Sequence, residues 1–124
     1  TAVTTITFEN GSIATIDNSR KANYGYDQRV EVFGSLGMSI SQNQLSNNNI
    51  IANNKGFHYS KPLGFFLERY SQSYISIMNE FINCLINKKE ISCGIKAGLD
   101  SLKIALAAKK SLNENRVVDF DEIK

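Results

Sequence analysis

The chain has 124 residues, which is enough for one hydrophobic core and too few for two ordinary domains. Its hydrophobic content of 42% and charged content of 21% are average for a globular chain and exclude a disordered or fibrous protein. The net charge of +2 lacks the strong positive excess of most nucleic-acid-binding domains, so we predict no nucleic-acid partner.

Cysteine content and apolar runs bear on cellular location. The two cysteines, Cys84 and Cys93, and the single histidine, His58, do not have the spacing of a zinc site, and we predict no metal site. So few cysteines are typical of reduced thiols in a cytoplasmic protein. No apolar run approaches the ~20 residues that span a bilayer, so we predict no membrane partner.

Thr1 opens directly into a strand pattern, which predicts a chain cut from a longer protein.

The first part of the chain has the signals of two β-hairpins. Apolar positions in Ala2–Phe8 and after it flank Asn10-Gly11, a dipeptide that favours a tight hairpin turn. Polar and apolar residues alternate in Gln28–Phe33, which predicts a strand with one buried and one mixed face. A turn at Gly34–Gly37 and a returning strand over Met38–Gln42 complete the second hairpin.

The later part changes from strand to helix periodicity. An asparagine-rich stretch, 43–54, predicts a short edge strand, and the irregular stretch after it closes at Pro62. Apolar residues three and four apart predict one long helix from Phe66 to Leu85 and a second helix over about Ile95–Asn113. A short strand is predicted at Val117–Phe120. This order predicts an α+β fold, a largely antiparallel open sheet with two C-terminal helices on one face.

A cluster of hydroxyl and charged side chains precedes the second hairpin. If the segment 23–27 is extended, Tyr24 and Tyr26 project to the same face, with Arg20 and Asp27 as neighbours. Such a set could hold a polyhydroxylated ligand, because tyrosine hydroxyls both donate and accept hydrogen bonds. The alternative is that both tyrosines cap a sheet edge, with packed rings and hydrated hydroxyls.

Other candidate sites are weaker. His58 has no serine or aspartate in a catalytic arrangement and is interpreted as a loop histidine. Tyr70 lies on the apolar stripe of the first helix, where a core position is the simplest interpretation. The glycines at 34 and 37 lie between two strands, so they do not form a phosphate-binding loop between a strand and a helix.

Three segments carry a resemblance to a known family. The stretches IDNSRKANYGYDQRVEVFGSLGM and KPLGFFLERYSQSY resemble the C-terminal domain of inositol 2-dehydrogenases of the Gfo/Idh/MocA family of NAD(P)-dependent oxidoreductases. The stretch SCGIKAGLDSLKIALAAKKSL resembles the last helix of that family, although this segment is generic. The resemblance covers nearly the whole chain and implies that it is the last third or so of such an enzyme, a single domain over residues 1–124.

The resemblance also shows which catalytic motifs this chain does not contain. The family has an N-terminal Rossmann domain with a glycine-rich loop, a Glu-Lys-Pro motif that supplies a lysine, and a later Asp-x-x-x-His pair. Here His58 has Asn54 four residues before it, and Lys61-Pro62 follows Ser60 rather than glutamate. We therefore expect no catalytic or cofactor-binding residue in this chain, which should be inactive alone, although the full-length enzyme would use NAD or NADP.

What the resemblance implies for this chain is a substrate wall for a polyol or sugar. The family's sugar-contacting tyrosine would correspond to Tyr24 or Tyr26, with Tyr70 as a second contact and Arg20 and Asp27 as orienting neighbours. The family also implies a homo-oligomer, a dimer or tetramer that pairs sheet faces. The alternative is a free-standing α+β binding or assembly module that has lost the chemistry.

Overall fold

The structure is a computed structural model that describes residues 1–124. It contains six strands, two α-helices and one short 3-10 helix. Their bounds are β1 Ala2–Thr7, β2 Ile13–Asn18, β3 Val30–Gly34, β4 Gly37–Ser41, β5 Ile50–Asn53, β6 Gly56–Tyr59, α1 Phe66–Asn87, α2 Ile95–Glu114 and the 3-10 helix Phe120–Glu122.

The α+β class is confirmed, with the strands arranged as hairpins. Hydrogen bonds join them in three two-stranded sheets, β1 with β2, β3 with β4 and β5 with β6. In the second sheet, which is antiparallel, Val30 lies opposite Ser41 and Phe33 lies opposite Met38. In the third, also antiparallel, Ile50 lies opposite Tyr59. Both predicted hairpins are therefore present.

The first hairpin turn follows the chemistry of its sequence. Gly11 has a φ of 82°, a left-handed conformation that glycine adopts without a steric penalty. The Asn10 side chain stabilises the turn, since its Oδ1 accepts hydrogen bonds from the Ser12 backbone N–H at 3.0 Å and from the Ser12 hydroxyl at 2.7 Å. The Asn-Gly signal in the sequence thus marks the correct turn.

Two predictions near the chain's irregular stretches are wrong. The residues before Pro62, expected to be irregular, contain strand β6, which begins after a turn in which Gly56 has a φ of 117°. The expected strand at Val117–Phe120 is absent, and Phe120 instead begins the 3-10 helix. The cause lies in Asp119 and Glu122, which form a capping box, so that local side-chain hydrogen bonds stabilise a helical turn.

Both predicted helices are confirmed within one or two residues of their expected ends. Asn115 ends α2 in the left-handed conformation, with a φ of 52°, and its backbone N–H donates to the Ser111 carbonyl. Ser92 lies three residues before α2 but does not cap it, since Gly94 is the N-cap residue. Its backbone N–H and hydroxyl instead donate to Glu80 of α1. Neither helix is long and apolar enough to cross a membrane.

Burial is low throughout the chain. Cys84 is the only buried residue, with 8% exposure, and both cysteines are free thiols. Strand β3, expected to have one buried face, is exposed on both faces. The β3 and β4 hairpin forms a separate two-stranded sheet, with no further strand hydrogen-bonded to either of its edges.

The chain divides into two compact units. One consists of Thr1 and residues 18–78, and it contains the hairpins from β3 to β6 and the first part of α1. The other consists of residues 2–17 and 79–124, and it contains the first hairpin, the rest of α1, α2 and the 3-10 helix. All the predicted site residues lie in the first unit.

Candidate functional site

The predicted tyrosine segment is a turn rather than an extended strand. Gly25, between the two tyrosines, has a φ of 139°. A Cβ atom at Gly25 would lie only 2.9 Å from the Pro62 carbonyl oxygen and 3.0 Å from the Pro62 Cβ. The Tyr26 backbone N–H donates to the Leu63 carbonyl at 2.9 Å. Glycine is therefore needed here both for its backbone angles and for the close approach to residues 62 and 63.

Because of this turn, Tyr24 points to a different set of neighbours from Tyr26. The Tyr24 hydroxyl donates to Asp27 Oδ2. Arg29 donates to the same carboxylate from Nε at 2.8 Å and from Nη2 at 2.9 Å. Asn43 donates to Asp27 Oδ1 from Nδ2 at 2.7 Å. One carboxylate thus gathers three polar side chains from separate parts of the first unit.

Electrostatics favour an ionised Asp27 and a neutral Tyr24. The hydrogen bonds from Arg29, then those from Tyr24 and Asn43, hold the pKa of Asp27 well below its usual range. The pKa of Tyr24 is raised, chiefly by its hydrogen bond to Asp27, since ionising the phenol would place two negative charges together. At neutral pH the phenol therefore keeps its proton and donates a hydrogen bond to the ionised carboxylate.

Tyr26 and Tyr70 form the second part of the cluster. Their ring centroids are 5.7 Å apart, and the rings are nearly perpendicular at 84°, a favourable edge-to-face geometry. The Tyr70 hydroxyl donates to Gln28 Oε1, and the Gln28 backbone N–H donates to Asn43 Oδ1 at 2.8 Å. A continuous hydrogen-bonded chain therefore links helix α1 to Asp27 through Gln28 and Asn43.

The polar cluster borders an open cavity of about 690 Å³. Tyr24, Arg29 and Asn43 form its polar side with Gln42, and the remaining lining residues are Leu45, Tyr59 and Pro62. Such a mixture of apolar surface and a few fixed polar groups is typical of a small-molecule site. The volume is within the range of ligand pockets, and the polar groups could meet several hydroxyls of one ligand.

A second cavity of about 200 Å³ lies beside β5 and β6. His58 lines it and lies in β6, so the interpretation as a loop histidine is wrong. Its Nε2 is 3.4 Å from Asn53 Oδ1, and the Ser60 hydroxyl in the same cavity donates to Asn47 Oδ1 rather than contacting His58. No group of three or more histidine, cysteine, aspartate or glutamate side chains converges anywhere in residues 1–124.

The structure brings together four of the five predicted site residues. Tyr24 and Asp27 are hydrogen-bonded, and Tyr26 and Tyr70 are in ring contact. Arg20 is exposed and makes no hydrogen bond or ion pair, so it does not orient the cluster as expected. The reason is that Arg20 lies two residues after the end of β2 and comes before the turn at Gly25 that docks the cluster.

Sequence reasoning missed Asn43, which is 16 residues from Asp27 along the chain. The signal that could have found it is the register of the second hairpin. Val30 lies opposite Ser41, and extending this register by two residues on each strand places Gln28 opposite Asn43. An asparagine at that position can accept from the Gln28 backbone and donate to Asp27 at the same time.

Comparison with known proteins identifies the family. The family described as "Oxidoreductase family, C-terminal alpha/beta domain" matches residues 1–120. A myo-inositol 2-dehydrogenase of Thermotoga maritima is 40% identical over 123 residues, which cover 99% of this chain and 37% of that protein.

Solved structures give the same result. A probable dehydrogenase from Thermotoga maritima superposes with a TM-score of 0.94 and 38% identity, covering 98% of this chain and 37% of that one. A scyllo-inositol dehydrogenase from Lactobacillus casei, solved with NAD(H) and scyllo-inositol, superposes with a TM-score of 0.84 and 25% identity, covering 94% of this chain and 34% of that one.

The chain spans about a third of the length of the curated relatives that it matches. The matched part of those proteins is their C-terminal domain. The predicted resemblance is therefore confirmed, and the chain belongs to the Gfo/Idh/MocA oxidoreductase family, of which it is a C-terminal α/β domain.

Proposed function

We propose that this chain forms the substrate wall of a dehydrogenase that oxidises a ring hydroxyl of an inositol or a related polyol. The observation that carries the proposal is the cluster of Tyr24, Arg29 and Asn43 on one side of the cavity, held from behind by Asp27. The names of the relatives support the substrate class, since they are dehydrogenases of inositols.

In this reaction the wall orients the ring rather than moving the reacting proton or hydride. Hydroxyls and amides that are fixed in place can bind several hydroxyls of a polyol at once, which positions one carbon for oxidation. Tyr24 and Asn43 supply the polar contacts, and the rings of Tyr26 and Tyr70 stabilise the turn that presents them. The catalytic lysine, aspartate and histidine of the family would come from residues outside this chain.

We propose that this chain does not itself bind the nicotinamide dinucleotide. Gly34 and Gly37 flank the tight turn between β3 and β4, and no glycine-rich loop joins a strand to a helix within residues 1–124. We propose that the parent enzyme binds the cofactor elsewhere, and that it uses NAD rather than NADP, as the relative solved with NAD(H) suggests. The chain alone should accordingly be inactive, and we also propose a cytoplasmic location for the parent enzyme.

The test is NAD-linked oxidation of myo-inositol by the full-length parent protein with Tyr24→Phe and Tyr26→Phe variants. We expect Tyr24→Phe to raise KM by about tenfold, because one hydrogen bond to the ligand is lost. Tyr74→Phe is the matched control, since the Tyr74 hydroxyl makes no hydrogen bond and lies outside the cavity lining.

Each outcome has a separate meaning. Unchanged kinetics in both variants would remove this cluster from the substrate site. No turnover of any inositol or sugar, in a parent that binds NAD, would show that the substrate lies outside this class. A parent that binds no dinucleotide would favour the non-catalytic binding module.

A further inference from the structure

The polar side of the cavity depends on a carboxylate that does not line it. Asp27 has a side-chain exposure of only 17%. It accepts four hydrogen bonds, two from Arg29 and one each from Asn43 and Tyr24. All three donor residues line the cavity, whereas Asp27 is absent from the lining. Asp27 therefore lies behind the wall and sets the orientation of the groups that face the ligand.

The hydrogen bond between Tyr24 and Asp27 can have only one direction. An ionised carboxylate has no proton to donate, so the phenol must be the donor. The low pKa of Asp27 and the raised pKa of Tyr24 keep this arrangement throughout the neutral range. Tyrosine has a single O–H, which is used at Asp27, so the phenol oxygen offers only its lone pairs to any other partner.

We propose that Asp27 is a positioning residue that fixes Tyr24 as a hydrogen-bond acceptor toward the cavity. The ligand group that meets Tyr24 must then be a donor, a hydroxyl rather than a ketone or ether oxygen. Tyr24 would thus select for the free alcohol at one ring position. The identity of the ligand as a polyol rests on the proposed function, whereas the polarity of the contact follows from Asp27 alone.

The same network explains why Tyr24 cannot turn to donate. Rotating the phenol O–H toward the cavity would leave Asp27 Oδ2 without one of its donors and would place the phenol oxygen against a carboxylate oxygen, which repels it. Asn43 Nδ2 donates to the other carboxylate oxygen, Asp27 Oδ1, at 2.7 Å rather than to Oδ2. The acceptor role of Tyr24 is therefore built into the wall before the ligand binds.

The experiment measures kcat/KM of the full-length parent with polyols in which single hydroxyls are replaced by hydrogen or by fluorine. Fluorine can weakly accept a hydrogen bond but cannot donate one. We expect one ring position at which the deoxy and fluoro compounds both lose about tenfold, and at which both losses disappear in Tyr24→Phe. If Tyr24 were a donor, the fluoro compound would keep much of the activity that the deoxy compound loses.

Asp27→Asn tests the positioning role. The amide can donate as well as accept, so the phenol is free to turn and donate to the ligand. We expect this variant to raise KM more than it lowers kcat, and to prefer the fluoro over the deoxy compound at the Tyr24 position. A purely structural role would lower the rates with all compounds in equal proportion, and that result would overturn the proposal. If Asp27→Asn does not fold, the Tyr24→Phe comparison decides alone.

Polyol oxidation by the parent and the acceptor role of Tyr24 are tested separately by these measurements. A parent that oxidises no polyol would overturn the proposed function and, with it, the ligand named here. A parent that oxidises polyols but tolerates fluorine at every position, or whose losses persist in Tyr24→Phe, would overturn only the acceptor role of Tyr24.

Discussion

Gly25 is the residue on which the geometry of the site depends most directly. Its φ of 139° is strained for any other residue, and a Cβ would lie 2.9 Å from the Pro62 carbonyl oxygen. We predict that Gly25→Ala destabilises the full-length parent by about 2 kcal/mol and raises KM for its substrate. The two effects go together because the turn at Gly25 presents Tyr24 to the cavity.

Denaturant unfolding and steady-state kinetics of the parent check this prediction. Gly98→Ala is the matched control, since Gly98 lies inside α2 and a Cβ there meets no atom within 4 Å. That variant should be more stable than wild type by about 0.5–1 kcal/mol, because alanine favours a helix. If Gly25→Ala and Gly98→Ala changed the free energy of unfolding and KM by the same amounts, the packing described for Gly25 would be contradicted.

The Asp27 carboxylate predicts a pH dependence at the same site. Its pKa is held below the unfolded value by Arg29, Tyr24 and Asn43, so ionised Asp27 stabilises the folded state. This contribution is complete above the unfolded pKa of about 3.9 and is lost as the pH falls through it toward the lower folded value. We predict that the stability difference between the parent and its Asp27→Asn variant shrinks as the pH is lowered from about 6 to 3.

Urea unfolding at several pH values measures that difference. A stability gap that is constant with pH would show that Asp27 contributes through packing rather than through charge. The exposed Asp121, for which the structure gives no ion pair, offers a matched control, because Asp121→Asn also removes one carboxylate but breaks no ion pair.

At the scale of elements, Glu122 joins the C-terminal 3-10 helix to α2. It accepts from Lys110 Nζ at 2.7 Å and from Arg116 at 2.8 and 2.6 Å, while the Asp119 backbone N–H donates to it at 3.1 Å. We predict that Glu122→Gln releases the segment 117–124, because a neutral amide cannot satisfy two cations at once.

Amide hydrogen exchange in the parent measures this release. We expect faster exchange at 117–124 with unchanged exchange in the first part of α2. Glu114→Gln is the control, since Glu114 pairs only with Arg116 and does not cap the 3-10 helix. Slow exchange in both variants would show that other contacts, such as Lys103 over the Phe120 ring, hold the segment.

An element could be predicted from the sequence when the residues that determine it lie within or next to that element. The helices and the Asn10-Gly11 turn rest on local periodicity and turn chemistry, and both were predicted correctly. Val117, Val118 and Phe120 have strand propensity, but Glu122 forms ion pairs with Lys110 of α2 and with Arg116 just after that helix, and these contacts override it. Asn43 joins the site only through the register of the β3 and β4 hairpin, which residue spacing near Asp27 does not encode.

At the scale of the whole molecule, the amount of exposed surface is the main observation. The chain exposes 11098 Å², whereas a folded monomer of 13.8 kDa exposes about 6,600 Å². Much of the exposed surface is apolar, which is unfavourable in water. The sequence supplies enough hydrophobic residues for a core, but these 124 residues do not bury them against one another. We therefore propose that other parts of the parent protein, or further copies of it, cover these faces.

The β3 and β4 hairpin is the part of this surface at which we predict contact with a second copy. One face of this hairpin carries two cross-strand pairs, Phe33 with Met38 and Glu31 with Ile40. The Phe33 side chain on this face is 82% exposed. Replacing Phe33 with aspartate would put a second acidic side chain on this mixed face, which already carries Glu31, and burial of a charge without a partner is costly. We predict that Phe33→Asp weakens self-association of the full-length parent by tenfold or more, as loss of a buried aromatic at an interface typically costs about 2 kcal/mol.

Light scattering of the parent at micromolar concentration measures its mass with and without the substitution. Leu112→Asp is the matched control, because Leu112 is similarly exposed, at 81%, but lies on α2 rather than on this hairpin. A monomeric wild-type parent would contradict self-association altogether. An oligomer that survives Phe33→Asp but dissociates with Leu112→Asp would place the contact on α2, since the charge disrupts only the face that a second copy covers.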